Sequence, residues 1–365
     1  MIGTPLTNLL QPGRVPISGD VYLPAEPGEV SWGLLPNAVS PPVRRVVSGT
    51  AVCLDTISHE GLLEDQGRDP AAFFAAAGID VVLDDAAELA RSGTHDPLLH
   101  GPHVVTGPIE VEGALPGDVL EVEILELRRR APYGVISNRH GKGALPGEMP
   151  LAPDGWDPAV PVPPVCTIAT VEGGRGAIAV GDGRRLTFPL REFLGIMGVA
   201  PATDRPVHSV PPGPHGGNLD VGPLGVGARL FLPVQVSGAM FYAGDPHFAM
   251  GDGEVALTAF EAPLRATLRL TLHSDAATRS LAAALAAPYA DTGAEHLLLG
   301  LDEDLDEAVR KATRSALALL GARYGLPMPI ALAYLSAAAH LHVSQVVDIV
   351  KGVHFAVPKP TLESL

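Results

Sequence analysis

The run Val119–Leu127 sets Leu120, Val122 and Ile124 on one side and Glu121 and Glu123 on the other. A period of two puts successive side chains on opposite faces of a pleated strand, so this run buries one face and wets the other. The turn Ala114-Leu-Pro-Gly-Asp118 joins it to a strand over Ile109–Val111, which is a hairpin or meander signature. Leu264–Leu272 repeats the alternation, Leu against polar residues. The 41 Gly and 36 Pro exceed ordinary usage and follow no period, which fits a chain of turns and short strands rather than disorder. A hydrophobic content of 46% over 365 residues supplies a substantial core, enough for two domains or one large one.

Helical signals sit around this β-rich part. Asp69-Pro70 opens a helix to about Ala77, with Asp at the N-cap and Pro at the first helical position, and a second helix is expected near Asp84–Arg91. Past residue 275 the character changes. Ala276–Ala287, Leu305–Leu320, Ile330–His340 and Ser344–Val350 read as helices, the last three rich in Ala, Leu and Val at helical spacing. The organisation predicted is an N-terminal arm over 1–45, a β-rich body over 46–275 and a helical C-terminal section over 276–365, packed on the body as one structural unit. The class is mainly β with α, or α+β.

Charge and punctuation narrow the function classes. A net charge of −16 without basic patches argues against a nucleic-acid surface and against an anionic membrane surface. No run of 18 apolar residues reads as a membrane span, and the N-terminus shows no charged region followed by an apolar one, so a cytoplasmic chain is expected. Cys53 and Cys166 lie far apart and form no CxxC, which is neither a disulfide scaffold nor a thiolate metal site.

Polar chemistry gathers in a few places. Within the stretch 238–261, Asp245, His247, Asp252 and Glu254 stand among Gly244, Gly251 and Gly253, with strand-like sequence on both sides. Carboxylates and imidazoles ligate divalent metals and serve as general acids and bases, whereas Asp-Gly steps also occur as turn chemistry alone. Asp55 and His59 follow an apolar strand that runs from Val43 to Leu54, and two readings stand for them: at least one serves a site, or both belong to a structural loop. His103 is confined between Gly-Pro and Thr-Gly-Pro. Residues 132–165 form a long loop-heavy segment in which Asn138, Arg139, His140 and Lys142 face a substrate or make an exposed turn. His215-Gly-Gly-Asn218-Leu-Asp220 presents an amide and a carboxylate beside paired glycines. His340, His342 and His354 read as core or interface histidines.

Together, Thr106-Gly-Pro108, Ala114-Leu-Pro-Gly-Asp-Val-Leu-Glu-Val-Glu123, Gly216-Gly-Asn-Leu-Asp220, Leu232-Pro-Val-Gln-Val-Ser-Gly-Ala239, Gly244-Asp-Pro-His247 and Gly251-Asp-Gly-Glu254 resemble the acetamidase/formamidase family over about residues 45–355. The resemblance implies a β-sandwich or barrel-like body and a metal-dependent hydrolase of short linear amides such as formamide and acetamide. Some relatives open lactams. It implies a divalent metal, zinc foremost and calcium as the alternative. On this basis Asp55 and His103 are expected as metal ligands with Asp220, Asp245 or His247 completing the shell, and Glu254 as general base and acid. Asn218, His59 and His140 are expected to face the substrate. A small-molecule amide is then the partner, and a homodimer or higher homo-oligomer the assembly. Met250 stands where relatives often carry Gln, and Trp32-Gly-Leu-Leu-Pro with Asp55-Thr-Ile-Ser-His-Glu-Gly looks like a subfamily whose substrate need not be acetamide. Lactam or ester hydrolysis, or a calcium-stabilised small-molecule binder without turnover, are the alternatives.

Overall fold

The computed structural model describes residues 8–361. Two large β-sheets share one apolar core. The first has nine strands, in the order Val21–Leu23, Thr50–Asp55, Leu264–His273, Val119–Arg129, Arg229–Pro233, Tyr289–Asp291, Glu295–Asp302, Lys351–Pro358 and His340–Gln345. Its centre is the alternating pair read from the sequence: Leu264–His273 lies antiparallel to Val119–Arg129, with Leu268 opposite Ile124 and Leu270 opposite Val122. Leu120, Val122, Ile124, Leu268 and Leu270 all point into the core, while Glu121 and Glu123 stay at the outer face. At about 25 cal/mol per Å² of apolar surface, such a seam drives the association of the sheets.

The second sheet runs Arg184–Pro189, Arg175–Gly181, Val165–Glu172, Tyr133–Asn138, Phe260–Glu261, Phe241–Ala249, Phe193–Val199 and Gly216–Asn218. Phe241–Ala249 is its buried spine. One edge pairs with Phe193–Val199, and the other is shared by Val104–Val111 and Phe260–Glu261. Leu194, Met197, Val199, Phe241 and Phe248 meet the first sheet across the core.

The expected N-terminal arm is woven into both sheets: Val21–Leu23 runs parallel to Thr50–Asp55, and Val30–Trp32 antiparallel to Val104–Val111. Its residues 1–7, like residues 362–365 of the expected C-terminal section, lie outside the described residues.

The C-terminal section differs from expectation. Helices Ala276–Leu285, Leu305–Tyr324 and Met328–Ala338 are present, yet four strands between and after them extend the nine-stranded sheet. Ser344–Val350 is the end of a strand and a turn, where a helix was expected. The reason is burial on both faces. Glu295–Asp302, under the helix Leu305–Tyr324, buries five consecutive residues, and a continuous apolar run carries no strand period. Gly300 allows that helix to sit close, because a Cβ there would overlap the Ala308 carbonyl.

Candidate active site

The two sheets and the turns at their ends bring together residues from across the chain. His59 lies just beyond Thr50–Asp55, His103 just before Val104–Val111, and Asp245 and His247 within Phe241–Ala249. Asp220 follows Gly216–Asn218, and Glu254 sits in the turn between Phe241–Ala249 and Phe260–Glu261. These side chains are buried. With Asn218, Glu261 and Asp348, all but His247 line a cavity of about 690 Å³.

The backbone is bent to make this arrangement. Asp220, Asp245 and Glu254 have φ of 47°, 52° and 49°, in the left-handed region that residues with a Cβ seldom occupy. Three such residues within one cluster mark the place where the fold accepts local strain. Asp245 achieves this inside a strand, opposite Gly195 in the neighbouring one. A Cβ on Gly195 would overlap Asp245 Oδ2 and Asp220 Oδ1 and stand 2.8 Å from His247 Cε1.

Asp245 is the hub. Its Oδ1 faces His59 Nδ1 at 3.7 Å and His103 Nε2 at 4.0 Å, and its Oδ2 lies 3.1 Å from His247 Nε2. His247 Nε2 is also 2.9 Å from Glu261 Oε1, and its Nδ1 is 3.8 Å from Asp220 Oδ1. Burial alone would lower the His247 pKa, but Glu261 and Asp245 hold it well above its ordinary value. Despite burial, which raises it, the carboxyl of Asp245 is held low by His247, His103 and His59.

The two imidazoles on the other side of Asp245 are each anchored through one nitrogen. His103 Nδ1 is 2.9 Å from Ser209 Oγ, and His59 Nε2 lies 3.4 Å from Glu60 Oε1. Glu60 accepts a hydrogen bond from Ser137 Oγ at 2.6 Å and one from Arg139 Nη1 at 3.3 Å. Burial opposes ionisation of Glu60, but His59 and Arg139 bring its pKa down to about 2. The rings of His59 and His103 meet edge to face at 5.3 Å. Burial, with His59 and His247 nearby, lowers the His103 pKa to about 3, so this ring is neutral and has a lone pair to give.

His59 Nδ1 and Asp245 Oδ1 are buried without a hydrogen-bond partner. Buried polar atoms are nearly always paired, and two unpartnered atoms converging beside the neutral ring of His103 are what a cation would satisfy. One donor atom from each of His59, His103 and Asp245 lies within 4.8 Å of the others, as do those of Asp220, His247 and Glu254, and those of Asp245, His247 and Glu261. The mixed imidazole and carboxylate set fits a borderline divalent metal, and the anchoring of each ring by its second nitrogen is the support such ligands need.

Beside the imidazoles lies a group of carboxyls that cannot all ionise. Burial, with Asp245 next to it, raises Asp220 to about 7. Burial, with Asp220 and Asp348 near, puts Glu254 well above the usual carboxylate range, and Asp348 is raised by burial and by Asp220. Oδ1 of Asp220, Oδ2 of Asp348 and Oδ1 of Asn218 have no hydrogen-bond partner.

Of the residues named from sequence, the structure gathers His59, His103, Asn218, Asp220, Asp245, His247 and Glu254. It does not gather Asp55 or His140. Asp55 faces away, where Arg265 Nε donates to its Oδ1 at 2.6 Å and Arg265 Nη2 to its Oδ2 at 2.9 Å. Tyr22 donates to the same Oδ2 at 2.6 Å. Its lone pairs are spent on a buried ion pair, which removes it from the expected ligands. His140 is exposed, with Nδ1 3.3 Å from the Pro150 carbonyl oxygen, and the cavity wall is made by its neighbours Arg139 and Gly141. Glu261 and Asp348 were not anticipated. Each is an acid inside an apolar run, Ala-Phe-Glu261-Ala and Val-Val-Asp348-Ile-Val, and that context was the available signal. Ser209, which anchors His103, carries no such mark.

The sequence pattern of the Acetamidase/Formamidase family matches residues 196–362, which hold the carboxylate side of the cavity; His59 and His103 lie before it. The acetamidase of Mycolicibacterium smegmatis is 29% identical over 213 residues, 42% of this chain and 49% of that protein. The formamidase of Methylophilus methylotrophus is 29% identical over 191 residues, 42% of this chain and 47% of that protein. The matches thus span about half the length of these curated relatives. The crystal structure of an acetamidase from Bacillus halodurans superposes with a TM-score of 0.70 at 26% identity, covering 92% of this chain and 97% of that one. Residues 196–362 thus carry the acetamidase/formamidase family pattern, and the chain as a whole shares the fold of a solved acetamidase.

Proposed function

We propose that this protein is a metal-dependent amidohydrolase that cleaves a linear amide to a carboxylate and ammonia. The observation that carries the reading is the convergence of His59, His103 and Asp245, with His59 Nδ1 and Asp245 Oδ1 buried and without partners, beside carboxyls whose pKa values burial and one another have raised. His59, His103 and Asp245 would hold the metal, with zinc favoured over calcium because two of the three donors are imidazoles. Such a cation supplies Lewis acidity, polarising an amide carbonyl and acidifying water.

The chain's own groups do the rest. Glu261 and Asp245 keep His247 charged, and His247 in return fixes the free oxygen of Asp245. Glu254 lines the cavity with a carboxyl whose pKa burial, Asp220 and Asp348 have raised. In its ionised form this carboxyl can take a proton from attacking water and return it to the leaving nitrogen, which an amide requires because its amine leaves poorly unprotonated. Asp220, about 7, can exchange protons with it. Asn218 brings a side-chain amide to the same wall, a donor for an amide carbonyl oxygen.

The test is metal analysis of the purified protein together with ammonia release from formamide, acetamide and a small lactam panel, before and after chelation. Stoichiometric zinc and ammonia release abolished by chelation are expected. Metal without turnover of any amide would turn the reading toward a binding protein, and protein that acquires no metal would end it.

A further inference from the structure

The cavity of about 690 Å³ lies within the 300–1,000 Å³ range that encloses drug-sized ligands, far more room than a two-carbon amide fills. Its outer wall has a distinct chemistry. Lys142, His100 and His208 line it together. His100 Nδ1 accepts from the Asp96 amide at 3.2 Å, and His208 Nδ1 accepts from the Val210 amide at 3.2 Å. A ring that accepts at Nδ1 carries its proton at Nε2, so each imidazole has one N–H left to donate. Burial, with Lys142 and His100 close by, keeps the pKa of His208 below its usual value. Among the described residues Lys142 has no carboxylate within 4.0 Å, whereas Arg139 on the same wall is matched by Asp65 at 2.7 Å and Glu60 at 3.3 Å. The acid Glu64 is taken up by His95 at 2.9 Å.

What remains uncommitted is therefore one ammonium and two imidazole N–H groups. The wall joins the floor directly: His208 is followed by Ser209, which holds His103, and both approach Gly101 closely enough that a Cβ there would meet them. We infer that the outer wall receives an anionic group, and that the substrate is an amide carrying a carboxylate at the end remote from the scissile bond. The inference rests on the hydrolase reading for its scissile end alone; the carboxylate contact stands on Lys142, His100 and His208. A cation facing a carboxylate in a partly enclosed cavity adds affinity and orients the other end of the molecule.

The experiment compares kcat/KM for succinamate and glutaramate with that for butyramide and valeramide, neutral amides of similar length, using metal-loaded wild type, Lys142→Ala and Lys142→Glu. The wild type is expected to prefer the carboxylate-bearing amides at least 10-fold, mostly through KM. The preference should fall toward 1 in Lys142→Ala, invert in Lys142→Glu and shrink with added salt. Equal turnover of both kinds of amide, unmoved by either substitution, overturns the inference and leaves the hydrolase reading standing. If no amide is hydrolysed, that reading fails, and calorimetric titration with succinamate then decides: binding that Lys142→Glu abolishes upholds the anionic subsite, and no binding, or binding unaffected by the substitution, refutes it.

Discussion

Gly195 and Asp245 face each other on adjacent strands with no space between them for a methyl group. The absent side chain is what lets Asp245 turn into the left-handed region and carry its carboxylate between His59 and His247. Gly195→Ala must displace Asp245, Asp220 or His247. The variant is expected to fold with a loss of about 1–3 kcal/mol from overpacking. Turnover should fall at least 100-fold, since misplacement by an ångström costs about that much. Metal content and ammonia release, measured beside the denaturation midpoint, check this.

Asp55 gives the opposite pattern. Its carboxylate neutralises Arg265 and lies 3.6 Å from Arg130, both buried. Asp55→Ala leaves buried guanidinium charge uncompensated, and a cost of about 3–5 kcal/mol is expected. Metal per folded molecule should stay the same. Loss of metal without loss of stability would show that Asp55 is a ligand after all.

Ser209→Ala tests the support of His103. Without the hydroxyl 2.9 Å from Nδ1 the ring is free to turn, and metal affinity should drop about 10–100-fold. Competition with a chromophoric chelator reads this directly, and an unchanged dissociation constant would separate His103 from the metal.

Glu254→Gln retains the shape of the turn and removes the proton carrier. Bound metal should be undiminished while kcat falls about 10²–10⁴-fold. Full activity would exclude Glu254 as acid and base.

The buried carboxyls also set a pH signature for the metal-free protein. Asp220 titrates at about 7, and Glu254 and Asp348 are also raised by burial and by one another, against an unfolded value near 4. A carboxyl raised on folding contributes stability that is fully present below about pH 4 and lost as pH climbs toward the folded value. Between pH 5 and 7 this loss is opposed by buried imidazoles held neutral, His103 at about 3 and His215, His296 and His354 at about 4. It is therefore read as the stability difference between chelated wild type and chelated Asp220→Asn, which should fall as pH rises and flatten when metal is added. Asp245, depressed on folding, loses its contribution only below about pH 4 and does not offset this trend. Urea midpoints from pH 5 to 8, with and without metal, decide it. A difference between wild type and Asp220→Asn that stays constant with pH in the chelated proteins would contradict the assignment.

Strands with one wet face were legible in the sequence because alternation survives when only one side is buried, as in Val119–Arg129 and Leu264–His273. Those buried on both sides, such as Glu295–Asp302, lose that mark, which is why the last third read as helical. Much of the site showed through for a related reason: Asp245, His247 and Glu254 stand beside glycines, where polar residues attract notice. Asp348 was hidden in a segment assigned to the wrong element. Asp55 misled because a carboxylate at the end of an apolar strand looks the same whether it meets a metal or an arginine two hundred residues away. Only the pairing of Thr50–Asp55 with Leu264–His273 brings Arg265 opposite it.

The turn that carries Glu254 is tied to the far end of the chain. Gly253 donates to the Ser344 carbonyl at 3.0 Å and accepts from Val346 at 3.2 Å, two residues before Asp348. The cavity floor thus draws on residues from 59 to 348 and has no complete subset within any one stretch. During synthesis on the ribosome, His59 and His103 emerge early but wait, without Asp245 and then without the segment that braces Glu254, until nearly the whole chain is out. A metal held as proposed by His59, His103 and Asp245 would therefore enter a finished scaffold rather than template early folding, and its occupancy would follow metal supply after translation rather than the order in which the strands assemble.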